Sequence, residues 1–130
     1  MSRLCVGIGL LLALAIGAPG PAQAAKAPAK VVISHYNPPP IIGTWHGQVK
    51  SERKACKRDR QVILYRREGE KNANVGFGMT QREGNKWVWA IPADEQTGRY
   101  FALAPPTDKC KRAESEIFRY PGDNPPMRPF

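Results

Sequence analysis

Apolar residues in the middle of this chain alternate with polar residues or glycine at a period of two, in short runs separated by turn-forming residues. That period sends successive side chains to opposite faces of a strand, whereas a helix repeats at 3.6. Gly43, Trp45, Gly47 and Val49 share one face of a first predicted strand, with Thr44, His46 and Gln48 on the other. Residues 61–66 form a second, rich in β-formers. Residues 68–72 make a hairpin loop, after which Val75, Phe77 and Met79 alternate with Asn74, Gly76 and Gly78 to give one bulky face and one nearly bare face. Glu83, Gly84 and Asn85 turn the chain into residues 86–91, where Trp87, Trp89 and Ile91 line up on one face. Pro92 and Gly98 bracket a further turn before the strand at residues 99–104, and residues 113–120 read as either a closing strand or a short helix.

Six short strands joined by a few turn residues each predict an all-β fold, a small antiparallel meander closing into a barrel or half-barrel. Glycines opposite Phe77 suit close strand approach. This β-rich domain is expected over residues 41–120. Residues 25–40 are rich in Ala, Lys and Pro and end on Pro38, Pro39 and Pro40, which reads as an extended arm outside the domain. Residues 121–130 hold four prolines and read as an irregular tail, because proline cannot sustain a ladder.

The first 24 residues change the picture. Arg3 precedes an uncharged apolar run to Ala18, followed by Ala22-Gln23-Ala24, the order of a cleavable export signal. The run is too short and too glycine-broken for a membrane span. Cleavage after Ala24 would remove Cys5, leave one domain of modest size and no transmembrane segment, and direct the protein to the periplasm or outside the cell. Cys56 and Cys110 would then be the available disulfide pair in an oxidising compartment. Closing that span is expected to stabilise the fold by roughly 2 to 4 kcal/mol. A zinc site is poorly supplied by two isolated cysteines with His35 and His46, so neither metal nor cofactor is expected.

Charge adds a candidate surface. The whole chain carries 20 Lys and Arg against 11 acids. Lys50, Arg53, Lys54, Lys57, Arg58 and Arg60 cluster ahead of the second strand, and a Cys56–Cys110 bridge would bring Lys109, Lys111 and Arg112 beside them. The predicted binding patch is Lys54, Lys57, Arg58, Arg60, Lys109, Lys111 and Arg112. Such a patch suits an anionic polymer (nucleic acid, lipid phosphates, acidic glycans) or an acidic protein surface, while a merely solvated loop is the plain alternative. Trp45, Trp87 and Trp89 read as packing residues, with a stacking platform as the alternative.

Little points to catalysis. His35 lies in the arm and His46 on an outer strand face, so an acid and base pair of the kind a small secreted nuclease needs has no evident geometry. No serine nucleophile elbow, phosphate loop or pair of carboxylates at a useful spacing is present.

Gly43-Thr44-Trp45, opening the first strand, resembles the Gly-x-Trp of lipocalin-like (calycin) barrels, among them small bacterial periplasmic proteins and exported metalloprotease inhibitors. The hairpin from Trp87 to Ala104 is similar to the late hairpin of such periplasmic proteins. The resemblance implies structural roles for Gly43 and Trp45, with an arginine, Arg119 or Arg112, covering the tryptophan. The reading is an exported, non-enzymatic binding protein, with an inhibitor as one form of it; the alternative is a small secreted nuclease-like hydrolase acting on an anionic polymer.

Overall fold

The computed structural model describes residues 25–37, 43–93 and 96–121. The predicted signal at residues 1–24, the prolines 38–40, Asp94 and Glu95 of the predicted turn, and the tail from residue 122 lie outside the described residues.

Among the described residues the fold is all-β. Its strands are β1 (Lys30–Asn37), β2 (Thr44–Lys50), β3 (Gln61–Glu68), β4 (Lys71–Met79), β5 (Gln81–Glu83), β6 (Lys86–Pro92), β7 (Gly98–Ala104), β8 (Ala113–Glu114) and β9 (Phe118–Tyr120), with one 3-10 turn at Lys54–Cys56. Two antiparallel sheets result, one ordered β1-β2-β6-β5 and the other β4-β3-β7-β8, with β9 also on β7. The described strands form these two ladders and no closed ring. The segment at residues 113–120 resolves into two short strands, both paired with β7.

Two hairpins follow directly from local chemistry. Gly69 and Gly84 each open a two-residue loop at φ 63° and 62°, a conformation that costs other L-residues energy and matches the twist of the flanking strands. The long-range pairings, β2 with β6 and β3 with β7, have no local signal; they form because each joins two apolar faces. Trp45 sits opposite Ile91 and Gly47 opposite Trp89 across the first sheet. Trp45, Trp89, Tyr36, Tyr100, Leu64, Ile91, Val49 and Val62 fill the space between the sheets with almost no exposure. Burial of such aromatic and branched side chains is the main favourable contribution to a domain of this size.

The arm proves to be part of the domain. Residues 30–37 form β1, paired along β2 from Lys30↔Lys50 to Asn37↔Thr44, with a bulge between Ile33 and His35. Val31 and Tyr36 are buried in the core. The domain therefore starts at least eleven positions before residue 41. Prolines at 38–40 made the whole segment look irregular, yet Val31, Val32 and Ile33 satisfy the free edge of β2.

Glycines in β4 also take a direction that periodicity alone left open. A Cβ at Gly76 would lie 2.6 Å from Ile91 Cγ2, and one at Gly78 would lie 2.9 Å from the Ala90 carbonyl. The bare face of β4 thus lies against β6, and Phe77 and Met79 point to solvent, 66% and 48% exposed. Close backbone approach, rather than side-chain burial, packs this edge.

Candidate anion-binding site

Cys56 and Cys110 form a disulfide with their Cα atoms 5.5 Å apart. Each cysteine sits in a loop shaped by local hydrogen bonds. On one side the 3-10 turn is closed by the Lys57 and Arg58 amides donating to the Lys54 carbonyl. On the other, the Thr107 hydroxyl accepts from the amides of Lys109 and Cys110 at 3.3 and 3.0 Å. A third strand of chain joins them: Ala27 N donates to the Lys109 carbonyl, and Lys111 N donates to the Ala27 carbonyl, both at 2.9 Å. This tie carries Lys26 to the same surface.

Lys54, Arg58, Lys109, Lys111 and Arg112 are exposed, and Lys57 is half-buried. Arg58 pairs with Asp59 at 3.5 Å and Arg112 with Glu114 at 2.6 Å. Lys54, Lys57, Lys109 and Lys111 make no ion pair among the described residues. The lysines rather than the arginines therefore supply the uncompensated charge. The disulfide and the Ala27 tie hold these lysines close despite their repulsion, which solvent and salt moderate.

Arg60 must be removed from the predicted patch. It is 2% exposed, and its guanidinium donates to the carbonyls of Cys56 (3.1 Å), Pro105 (2.8 Å) and Lys111 (2.9 Å). These acceptors belong to both disulfide-bearing loops, so Arg60 knits them from below. Burial draws its pKa down from the ordinary arginine value. It remains a cation, because a guanidinium does not lose its proton at physiological pH. From sequence, an arginine inside a run of cations is indistinguishable from its solvated neighbours.

Clefts lie beside this region and elsewhere on the described surface. One of about 360 Å³ is lined by Ala27, Pro28, Ser51, Glu52 and Arg53. On the other side of Ser51 lies a cleft of about 310 Å³, lined by Gln48, Val49, Lys50, Ser51, Lys57, Asn85, Lys86 and Trp87. A third, about 260 Å³, runs between β1 and residues 116–118. Trp87, expected to pack in the core or at a barrel end, lines the second of these clefts. Trp87 is the half-buried one of the three tryptophans, and it stands at the start of β6, where the inward face opens at the end of the sheets. Lys86 and Asn85, in the adjoining hairpin, could have been associated with the cationic stretch only through the non-local β2–β6 pairing.

Trp45 is 0% exposed. Its indole is surrounded by Tyr100, Tyr36 and Phe118 at centroid distances of 4.2, 4.7 and 5.4 Å. Aromatic rings pack around it, while Arg112 pairs with Glu114 and Arg119 is an exposed residue of β9. Gly43 sits where a Cβ would collide with the Tyr36 hydroxyl and lie 3.0 Å from the Ala93 carbonyl.

Of the two histidines, His35 stands differently from the expectation, in a strand of the sheet rather than in an arm outside the domain. His35 is buried in β1, directly across from His46, and the rings stack with centroids 4.5 Å apart. Burial lowers both pKa values; His35 lowers that of His46 further, and Glu83 opposes this. Among the described residues no group of three or more His, Cys, Asp or Glu converges as a metal site, and no helix is long and apolar enough to cross a membrane. No protein-family model matches the chain, and no curated protein matches it.

Proposed function

We propose that this chain is an exported, non-enzymatic binding protein of lipocalin-like kind whose basic surface around Cys56–Cys110 contacts an anionic polymer. The observation that carries this reading is the convergence of Lys54, Lys57, Lys109 and Lys111, none of them ion-paired among the described residues, on two loops joined by a disulfide. Fixed positive charge on loops tied at three points attracts polyanions at little ordering cost on binding. The disulfide is compatible with an oxidising compartment, which supports the export reading. Gly43 and Trp45 at the start of a core strand support the lipocalin-like one.

The hydrolase alternative finds less support. An acid and a base must bracket the scissile group. Here the two imidazoles stack on one another and His35 is buried.

The test is salt-dependent retention on a polyanion such as heparin resin. Changing Lys54, Lys109 and Lys111 together to Ser should lower the salt needed for elution and flatten the dependence of affinity on salt. Changing Arg67, Lys71 and Arg99, which are exposed at the opposite end of the β4-β3-β7 ladder, removes the same charge. An equal effect from that control set would defeat the patch, and no retention of the parent protein at low salt would redirect the search to an acidic protein surface.

A further inference from the structure

We infer that the cleft between the end of β2 and the start of β6 is a subsite for one acidic sugar ring of an anionic glycan. The inference rests on the polyanion reading above and names the ligand class within it. Three lysines reach this cleft from three separate elements: Lys50 ends β2, Lys57 follows the 3-10 turn, and Lys86 begins β6. No carboxylate lines it; Glu52 and Glu83 are neighbours of the lining residues, with Glu83 opposite Lys86 across the hairpin. Lysine is a compact point charge without arginine's planar fork, so three of them accept a carboxylate, sulfate or phosphate in any orientation.

The rest of the lining distinguishes a sugar from a base. Trp87 lines the cleft with a half-buried apolar ring, and a pyranose presents a face of C–H groups that packs on such a side chain. Gln48 and Asn85 carry amides that both donate and accept, and Ser51 carries a hydroxyl, as the ring hydroxyls of a sugar require. Single-stranded nucleic acid is instead held by successive aromatics on which several bases stack, and this cleft has one. Its volume, about 310 Å³, lies at the low end for ligand pockets and suits one ring with its substituents. Ser51 also lines the neighbouring cleft with Arg53 and Ala27. Ala27 is bonded in turn to Lys109 and Lys111, so a linear chain seated at Trp87 continues along the patch.

The position of Trp87 makes the subsite directly readable. Trp45 and Trp89 are 0% and 1% exposed, so solvent-sensitive emission comes from Trp87. Titrating the disulfide-bonded protein with a heparin-derived hexasaccharide should shift that emission to the blue, saturably, and protect it from acrylamide quenching. Lys50→Gln with Lys86→Gln should weaken hexasaccharide binding by about tenfold. Trp87→Phe should abolish the spectral change, and the triple Ser variant at Lys54, Lys109 and Lys111 should weaken the hexasaccharide while leaving the saturating shift of Trp87 emission intact, since it spares all three cleft lysines. Hexasaccharide binding without a change in Trp87 emission or quenching would overturn the inference, as would an equal, saturable response to a thymidine oligonucleotide of the same charge. If the hexasaccharide fails to bind while long heparin is still retained, the cleft subsite falls and the patch stands. Failure of both to bind at low salt removes the two readings together.

Discussion

Thr80 holds the backbone of Lys57 in place: its hydroxyl donates to the Lys57 carbonyl at 2.6 Å while accepting the Arg60 amide at 2.8 Å. The Thr80 amide also donates to the Arg60 carbonyl at 2.9 Å. Thr80 is the single residue between β4 and β5, the point where the chain passes from one sheet to the other. One buried hydroxyl therefore fixes the sheet corner and the cationic loop together. Thr80→Val keeps the shape but leaves a part-buried carbonyl and a buried amide without this partner. It should destabilise the fold by about 1 to 3 kcal/mol in denaturant titration, and Thr80→Ser should recover most of the loss. Equal stability of the Val variant would show that water replaces the hydroxyl.

Arg60→Met should cost roughly 2 to 4 kcal/mol, because three carbonyls of the disulfide loops lose their donor. Polyanion retention of the folded variant should change no more than the loss of one remote charge requires. A stable Arg60→Met variant with greatly weakened retention would return Arg60 to the contact surface.

The native protein should show no reactive thiol at Cys56 or Cys110 by thiol titration. Reduction should lower stability by roughly 2 to 4 kcal/mol, chiefly by releasing the unfolded chain from a 54-residue closure. An unchanged melting temperature after verified reduction would mean that Arg60 and the Ala27 tie suffice to hold the loops.

Trp45→Ala removes the ring at the centre of a cluster of Tyr36, Tyr100, Phe118 and Tyr120. The expected loss is about 3 to 5 kcal/mol, as for other large-to-small changes in a packed core. Full stability with lost binding would make Trp45 a contact residue.

The His35–His46 stack predicts a pH dependence with a definite sign. Both imidazoles have pKa values lowered from the ordinary 6.5, so below that pH the unfolded chain binds more protons than the native one. Stability contributed by the neutral pair is complete above about pH 6.5 and declines as pH falls toward the lowered native values. The melting temperature should drop between about pH 7 and 5, and His46→Phe should flatten the drop. A melting temperature that is constant or rises through this window in the parent protein would contradict the stack.

Much of the architecture was legible along the chain because strand signals are local. Period-two alternation, glycine at the two-residue loops and a single cysteine pair beyond the signal-like segment determined an all-β antiparallel fold with one disulfide. They also placed Trp45 in the core and set Lys54 and Lys57 near Lys109 and Lys111. Tertiary structure decided what depends on contacts between distant residues. It made residues 30–37 an edge strand despite the prolines that follow, because the free side of β2 needed a partner. It turned the glycine face of β4 inward, because β6 passes too close for side chains. It withdrew Arg60 from a run of cations, because the carbonyls of two loops far apart in sequence meet beneath it. It opened Trp87 to the surface, because a residue on the inner face of a strand is covered only as far as the opposing sheet extends. Alternation tells which face a side chain takes; how deeply that face is covered depends on neighbours that the fold alone brings into contact.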